Sequence, residues 1–374
     1  MRRRTLLAAP LAATAASLAA RVPAAAAVGP RIRGADISFT LQHEAIGTTY
    51  RDGGSAAPVE RILAGRGANY VRLRVWTAPP AGYSDLADAL TLARRAHQAG
   101  LRVLLNLHYA DFWADPGKQP VPAAWAGQDL NTLAATVRAY TRDAVAAFER
   151  QGTPVAMVQV GNEITGGMLF PLGEVYRDDG EHWSEFATLL RAGIEGVYAG
   201  QGGNRPLVMV HIDRGGDNAG SRYFFDHVLA QGVSFDVIGL SYYPFWHGDI
   251  AALRANLDDL STRYRKDLVV VETSYPWTLA NGDSLGNFVT SAGQLPDGGA
   301  YPATPAGQAA YFERLREVLA AVPGGRGAGF FAWEPEWLPG VGWAPGEGNP
   351  NDNLTMFDWS GNALPSLAAF RAGP

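Results

Sequence analysis

The sequence predicts an α/β protein folded as a (β/α)8 barrel, and three observations carry that reading. Short apolar runs recur eight times along the 374 residues, helical stretches separate them, and polar or aromatic clusters follow their ends. The runs lie at 34–38, 70–76, 103–108, 157–161, 207–212, 237–240, 268–271 and 329–333. Val, Leu and Ile dominate them without clean two-residue alternation, as in parallel strands covered on both faces. Eight such strands close a barrel.

The stretches 57–65, 84–100, 130–151, 182–198, 221–231, 249–265 and 304–321 carry apolar residues at spacings of three and four, which predicts helices. Gly65, Gly100, Gly152 and Gly232 stand at helix ends, where a left-handed residue would return the chain to the next strand. Repeated strand–helix order favours the barrel over an open doubly wound sheet. The first run reads Gly34-Ala35-Asp36-Ile37-Ser38, which is no dinucleotide-binding turn, and there is no phosphate-loop sequence, so the usual nucleotide-dependent classes fall away.

With 47% hydrophobic residues the chain can bury a large core, and no Pro/Gly/Ser-rich linker divides it, so residues 29–374 are expected to form a single catalytic domain. Residues 1–28 read differently. Arg2, Arg3 and Arg4 precede an Ala/Leu-rich stretch and then small residues, the pattern of a signal peptide, with the paired arginines also fitting a twin-arginine leader. Export through the Sec or twin-arginine route would make the mature protein secreted, extracellular and free of the membrane. Losing Arg2, Arg3, Arg4 and Arg21 with that segment shifts the formal charge from −5 to −9. A chain this acidic, with basic residues clustered only at its start, offers nucleic acid no footprint and makes an acidic polymer a poor substrate. There is no cysteine, so stability must come from the core or from bound ions. A monomer is expected.

Two acids stand out. Glu163 ends Met157-Val158-Gln159-Val160-Gly161-Asn162-Glu163, and Glu272 ends Leu268-Val269-Val270-Val271-Glu272. A carboxylate beside a continuous apolar run is costly to bury unless its charge is paired or used. The two belong to the fourth and seventh runs, whose ends face each other across the mouth of an eight-stranded ring. Paired carboxyls are what glycosidic hydrolysis requires, about 5 to 5.5 Å apart for retention and about 6.5 to 9.5 Å for inversion.

Asn162 adds an amide suited to a sugar 2-hydroxyl, or else a helix cap. Trp113, Trp125, Trp246, Trp333, Trp337 and Trp343 lie mostly in Gly/Pro-containing loop contexts, where large rings mark recognition surfaces as readily as they pack cores. His108, Asp111, His211 and Asp213 invite a zinc reading, but no His-Glu-x-x-His helix or tight ligand set accompanies them, and hydrogen bonding near the sugar is the better role for His108. The oxygen-rich stretches 283–287 and 349–353 keep a structural calcium open, although neither follows the twelve-residue calcium loop. Catalysis by two carboxyls needs no cofactor.

Longer blocks carry a resemblance. They are Arg72-Leu73-Arg74-Val75-Trp76, the run from His108-Tyr109-Ala110-Asp111-Phe112-Trp113 through Gln119, Gln159-Val160-Gly161-Asn162-Glu163, Ser241-Tyr242-Tyr243-Pro244-Phe245-Trp246-His247-Gly248, and Val271-Glu272-Thr273-Ser274-Tyr275-Pro276. With the Gly34–Ser38 segment, and in this order, they resemble the family 53 glycoside hydrolases, the endo-β-1,4-galactanases that cut type I arabinogalactan. The resemblance spans essentially the whole chain after the leader. It implies a (β/α)8 barrel working with retention, Glu163 as acid/base and Glu272 as nucleophile. It also implies Arg72, His108, Asp111, Asn162 and Tyr243 around the reacting sugar, with Trp113, Trp246 and Trp333 along the cleft and galactan as the bound polymer. The C-terminal part departs from the family, with Asn351-Asp352-Asn353-Leu354 where Trp-Asp-Asn-Gln is common, and this bears on a calcium site and on distal substrate contacts. Another retaining β-1,4-glycanase, such as a mannanase, xylanase or cellulase, would share the two glutamates, and a non-catalytic carbohydrate-binding barrel would have no need of them.

Overall fold

The apolar runs become strands close to their expected places. They are β1 (Ile32–Asp36), β2 (Tyr70–Val75), β3 (Arg102–Leu107), β4 (Met157–Val160), β5 (Leu207–Ile212), β6 (Val237–Ser241), β7 (Asp267–Thr273) and β8 (Gly327–Ala332). In the computed structural model, which describes residues 29–80 and 82–373, every neighbouring pair is parallel and β8 closes on β1, completing the barrel. The expected signal segment 1–28 lies outside the described residues.

Among the described residues, besides two short helices at Thr40–Ala45 and Pro244–His247, seven longer helices follow the strands and cover the outside. They are α1 (Val59–Gly65), α2 (Leu86–Gln98), α3 (Leu130–Gln151), α4 (Trp183–Gly200), α5 (Asn218–Ala230), α6 (Ile250–Tyr264) and α7 (Pro305–Ala321). Asp85, Asp129, Asp217, Asp249 and Thr304 cap α2, α3, α5, α6 and α7, each side chain accepting a first-turn N–H. This is the usual device for an orphan helix donor. Gly152 ends α3 in the left-handed region with φ 79°, and Gly100 and Gly232 also adopt positive φ, as expected. Gly65 does not; the left-handed residue after α1 is Gly67, where a Cβ would meet the Phe370 carbonyl at 2.6 Å. Short hairpins at Arg51–Asp52 with Ser55–Ala56, and Tyr176–Arg177 with Gly180–Glu181, carry too few residues to show a strand pattern in sequence. Among the described residues no helix is long and apolar enough to cross a membrane.

The barrel interior changes character along its axis. One part is a plug of Ile32, Tyr70, Leu104, Met157, Met209, Val237, Val269, Val271 and Phe331. Gly34 gives Phe331 its room, since a Cβ there would lie 2.3 Å from the ring. Two residues further along several strands the side chains turn polar: Asp36, Arg72, Asn106, Gln159 and His211, all buried. This alternation places the functional groups at the C-terminal mouth, the end where (β/α)8 enzymes act.

Candidate active site

Glu272 reaches that mouth because the sheet is irregular there. Val269 and Val271 both point into the barrel, so strict alternation would turn Glu272 toward the helices. The β6–β7 register shifts between Leu240 and Ser241, pairing Ser241 with Glu272, and the β7–β8 register shifts between Val270 and Thr273. An extra residue in a ladder re-aims the next side chain. Parity is switched: Glu272 faces inward, while Thr273 meets Tyr311 of α7 at 3.0 Å.

Glu163 arrives by a different route. It lies three residues beyond β4, after Gly161 with φ 80°, and itself holds φ 49°. A non-glycine residue in that region is uncommon and tends to mark a functional turn. One oxygen from each of Glu163 and Glu272, with a ring nitrogen of His211, lies within 4.8 Å of the others.

Arg72 organises the nucleophile side. Its guanidinium donates to Asp36 Oδ2 at 2.8 Å, Gln159 Oε1 at 3.1 Å and Asn162 Oδ1 at 2.8 Å, and pairs with Glu272 Oε1 at 2.7 Å. The Tyr243 hydroxyl donates to the other Glu272 oxygen at 3.0 Å. On the opposite side the Ser241 hydroxyl donates to Glu163 Oε1 at 2.5 Å. Burial, then the charges of Glu272 and Asp213, push the Glu163 carboxyl well above the usual range, with Ser241 and Arg72 opposing. Burial and the charges of Glu272 and Glu163 raise the Tyr243 phenol. Burial and the charges of Arg74 and Arg72 hold His108 neutral.

These groups floor a cleft of about 620 Å³ walled by Trp113, Phe245, Trp246, Phe288, Trp333 and Trp343. Of the residues marked by sequence, Glu163, Glu272, Asn162, His108, Trp113, Arg72, Tyr243, Trp246 and Trp333 all line it. Trp113 stacks on Trp343 with centroids 4.5 Å apart, and Trp246 is 54% exposed, edge-on to Tyr243 and Phe288. The Asn162 oxygen is taken up by Arg72, Asn106 and Gln159, and its Nδ2 donates to the Ala114 carbonyl, so one amide hydrogen is left for a ligand.

Asp111 is not brought to the cleft. Tyr109 turns the chain with φ 52°, and Asp111 Oδ2 accepts the Ala123 N–H at 2.8 Å, tying two parts of the loop together. Trp125 and Trp337 are also packing residues. The first sits against Tyr140 at 5.4 Å, and the second, fully buried, stacks on Phe39 at 4.3 Å.

Other lining residues carried little sequence signal. Arg74 pairs with Glu334 at 2.7 Å while its guanidinium lies 4.4 Å from the Trp113 ring centre. Asn351 lines the cleft with its side-chain oxygen and nitrogen both buried and unpartnered. The replacement of a common tryptophan at this place was the one hint.

His211 is not free to take a cation. Both nitrogens of His211 are engaged, by Gln159 and Glu163 on one side and Ser241 on the other. In the 283–287 and 349–353 loops, Asp283 accepts the Leu285 and Asn349 N–H groups, and Asp352 accepts Gly282 N–H and Asn287 Nδ2. Asn287 Oδ1 and Asn353 Oδ1 are buried without a donor, oxygens of a type that calcium accepts beside Asp283 and Asp352. These carboxylates already close the loops by hydrogen bonds.

Comparison with known proteins gives the same picture. A chain from Niallia circulans, described only as an uncharacterised protein in the bgaB 5′ region, is 44% identical and aligns over 91% of this chain and 94% of its own length. The arabinogalactan endo-β-1,4-galactanase A of Emericella nidulans is 37% identical over 87% of this chain and 90% of its own. The solved GH53 catalytic domain of Ignisphaera aggregans superposes with a TM-score of 0.86 at 35% identity, covering 94% of this chain and 97% of that one. The model of glycosyl hydrolase family 53 matches residues 32–370, and the chain belongs to that family.

Proposed function

We propose that the protein is an exported, endo-acting β-1,4-galactanase that cuts galactan or type I arabinogalactan with retention. The observation that carries the reading is the closeness of the two carboxyls. Oxygens of Glu163 and Glu272 lie within 4.8 Å of each other, which matches the short spacing of a retaining pair and not the about 6.5 to 9.5 Å of an inverting one. Family membership and the activity named for the Emericella relative supply the substrate class.

The roles follow from the surroundings. Arg72 and Tyr243 hold both Glu272 oxygens and stabilise its negative charge, which suits the nucleophile. Glu163 keeps its proton because burial and its neighbours disfavour a second charge, which suits the acid. Glu163 protonates the leaving glycosidic oxygen as Glu272 attacks the anomeric carbon, giving a galactosyl-enzyme. Glu163, then a carboxylate, takes a proton from the water that releases the sugar. No cofactor enters either step.

Incubation with debranched galactan, mannan, xylan and β-glucan tests the reading. Shortened oligosaccharides from galactan are expected; cleavage confined to another polymer would favour a mannanase, xylanase or cellulase on the same two glutamates. Sugar binding without cleavage of any would favour a binding barrel.

A further inference from the structure

Glu163 has two oxygens, and an acid catalyst works only if its proton sits on the one that faces the leaving group. Buried polar groups behind Glu163 decide which oxygen that is. The chain of hydrogen bonds begins at Gln159. Its Oε1 accepts from Arg72 Nε, and its Nε2 lies 2.9 Å from the Gly161 carbonyl, which can only accept. The orientation of the amide is therefore fixed, and Nε2, whose two hydrogens are shared among Asn106 Oδ1 at 2.7 Å, the Gly161 carbonyl, Asn162 Oδ1 and His211 Nδ1 at 3.0 Å, can only donate toward that ring nitrogen. The Glu163 backbone N–H also points at Nδ1, at 3.3 Å.

Both groups within hydrogen-bond distance of Nδ1 are N–H groups that cannot accept, so Nδ1 is the unprotonated ring nitrogen. The ring is neutral, because burial, then the charges of Arg72 and His247, hold its pKa well below the ordinary value. Its hydrogen is thus on Nε2, 2.8 Å from Ser241 Oγ. Ser241 has one hydrogen and two candidate acceptors. Glu163 Oε1 is at 2.5 Å and Glu272 Oε2 at 3.4 Å, and the latter already accepts from Tyr243. The serine hydrogen goes to Glu163.

We propose that His211 and Ser241 are positioning residues that hold Glu163 Oε1 as an acceptor and thereby confine the catalytic proton to Oε2. The inference rests on Glu163 being the acid/base. It gives Ser241 a second effect: a donor on Oε1 persists when Glu163 ionises, so it stabilises the carboxylate that must act as base in the second step. Around the Glu163 carboxyl stand His211 and Asp213 from β5 and its following loop, Glu272 from β7 and Arg72 from β2. Among the groups bearing on Glu163, Ser241 is the uncharged donor, and removing it changes no charge.

The test compares Ser241→Ala, Ser241→Thr and Glu163→Gln in the full protein. Each is assayed on galactan and on a dinitrophenyl galactoside, whose leaving group needs no proton. Ser241→Ala is expected to move the alkaline limb of the kcat/KM profile upward by about one pH unit, the size of one hydrogen bond to a charged group. It should lower kcat/KM about 10-fold or more on galactan and far less on the activated galactoside. Ser241→Thr, which keeps the hydroxyl, should restore both, and melting temperatures identify any variant that is merely unfolded. An unmoved limb with equal losses on both substrates overturns the inference, as does a Ser241→Thr no better than Ser241→Ala. If Glu163→Gln retains its activity on galactan, the acid/base assignment itself fails; if it loses that activity while Ser241→Ala is unaffected, only the positioning role fails.

Discussion

Arg72 and Glu272 form an ion pair of 2.7 Å whose side chains are 1% and 7% exposed. The same guanidinium is bound to Asp36 at 2.8 Å, so a single cation pairs with two carboxylates on strands that are not neighbours. The register shift in its own strand turns the nucleophile inward, and the bridge across the barrel interior holds it there.

Removing that bridge should damage activity and stability together. Arg72→Met would leave Asp36 and Glu272 buried without their partner, and breaking a buried pair by deleting one side costs about 3 to 5 kcal/mol. Arg72→Lys keeps the charge but not the planar fork. Both variants are expected to lose about 100-fold or more in kcat, with Arg72→Met melting far lower, as measured by initial rates and thermal unfolding.

Trp246 should separate binding from folding. The ring is exposed and braced by Tyr243 and Phe288, so Trp246→Ala removes a sugar platform without opening the core. Losing roughly 1 to 2 kcal/mol of contact corresponds to a rise in KM of about 5 to 30-fold on galactan, with the melting temperature unchanged. Trp337→Ala, by contrast, should unfold readily and reveal little about substrate, because that ring is fully buried.

Asn351 presents a buried amide with no partner beside the cleft, an arrangement that destabilises the free protein. Both polar atoms of this wholly buried side chain are out of reach of a sugar in the cleft, so Asn351→Ala is expected to leave or raise the melting temperature and to leave KM for galactan unchanged, as thermal unfolding and initial rates would show.

Stability should fall toward alkaline pH through a group outside the cleft. Glu336 is wholly buried, with Thr40 on one oxygen at 3.2 Å and nothing on the other, and burial pushes its carboxyl up to about 8. An acid whose folded value lies above its unfolded one, about 4.3, binds its proton more tightly when folded. Its contribution is complete below pH about 4.3 and is lost as pH rises to 8. Glu336→Gln keeps the shape and removes the titration. Its melting temperature should match the native protein near pH 4.5 and exceed it at pH 8.5 by roughly 2 to 8 °C.

Metal removal should have no effect. The carboxylates of Asp283 and Asp352 are held by N–H donors, so dialysis against a chelator is expected to leave the unfolding transition in place and elemental analysis to find no stoichiometric calcium.

The barrel and its two glutamates were legible because they break local rules. Continuous apolar runs mark strands buried on both faces, and an acid at the end of such a run has no structural excuse. The features that complete the site have no such local signature. Ser241 precedes a Tyr-Tyr-Pro turn and reads as a turn residue, and His211 reads as a core histidine or a ligand. What joins them to Glu163 is the register of β4, β5 and β6, which is a property of pairing and not of any segment. The shift that turns Glu272 inward is likewise invisible in Leu268-Val269-Val270-Val271-Glu272, where alternation alone would aim it outward. Asp111 shows the reverse case: a polar residue in a block that carried the resemblance, it ties the loop to Ala123 and does not line the cleft.

The central claim is that Glu272 attacks the sugar, and trapping the covalent intermediate tests it most directly. An activated 2-deoxy-2-fluorogalactoside forms the galactosyl-enzyme faster than water can release it, and peptide mass mapping then locates the label. A label on Glu272, formed in step with loss of activity, is the predicted result. A label on another residue, or turnover with inverted product and no adduct, would contradict the account.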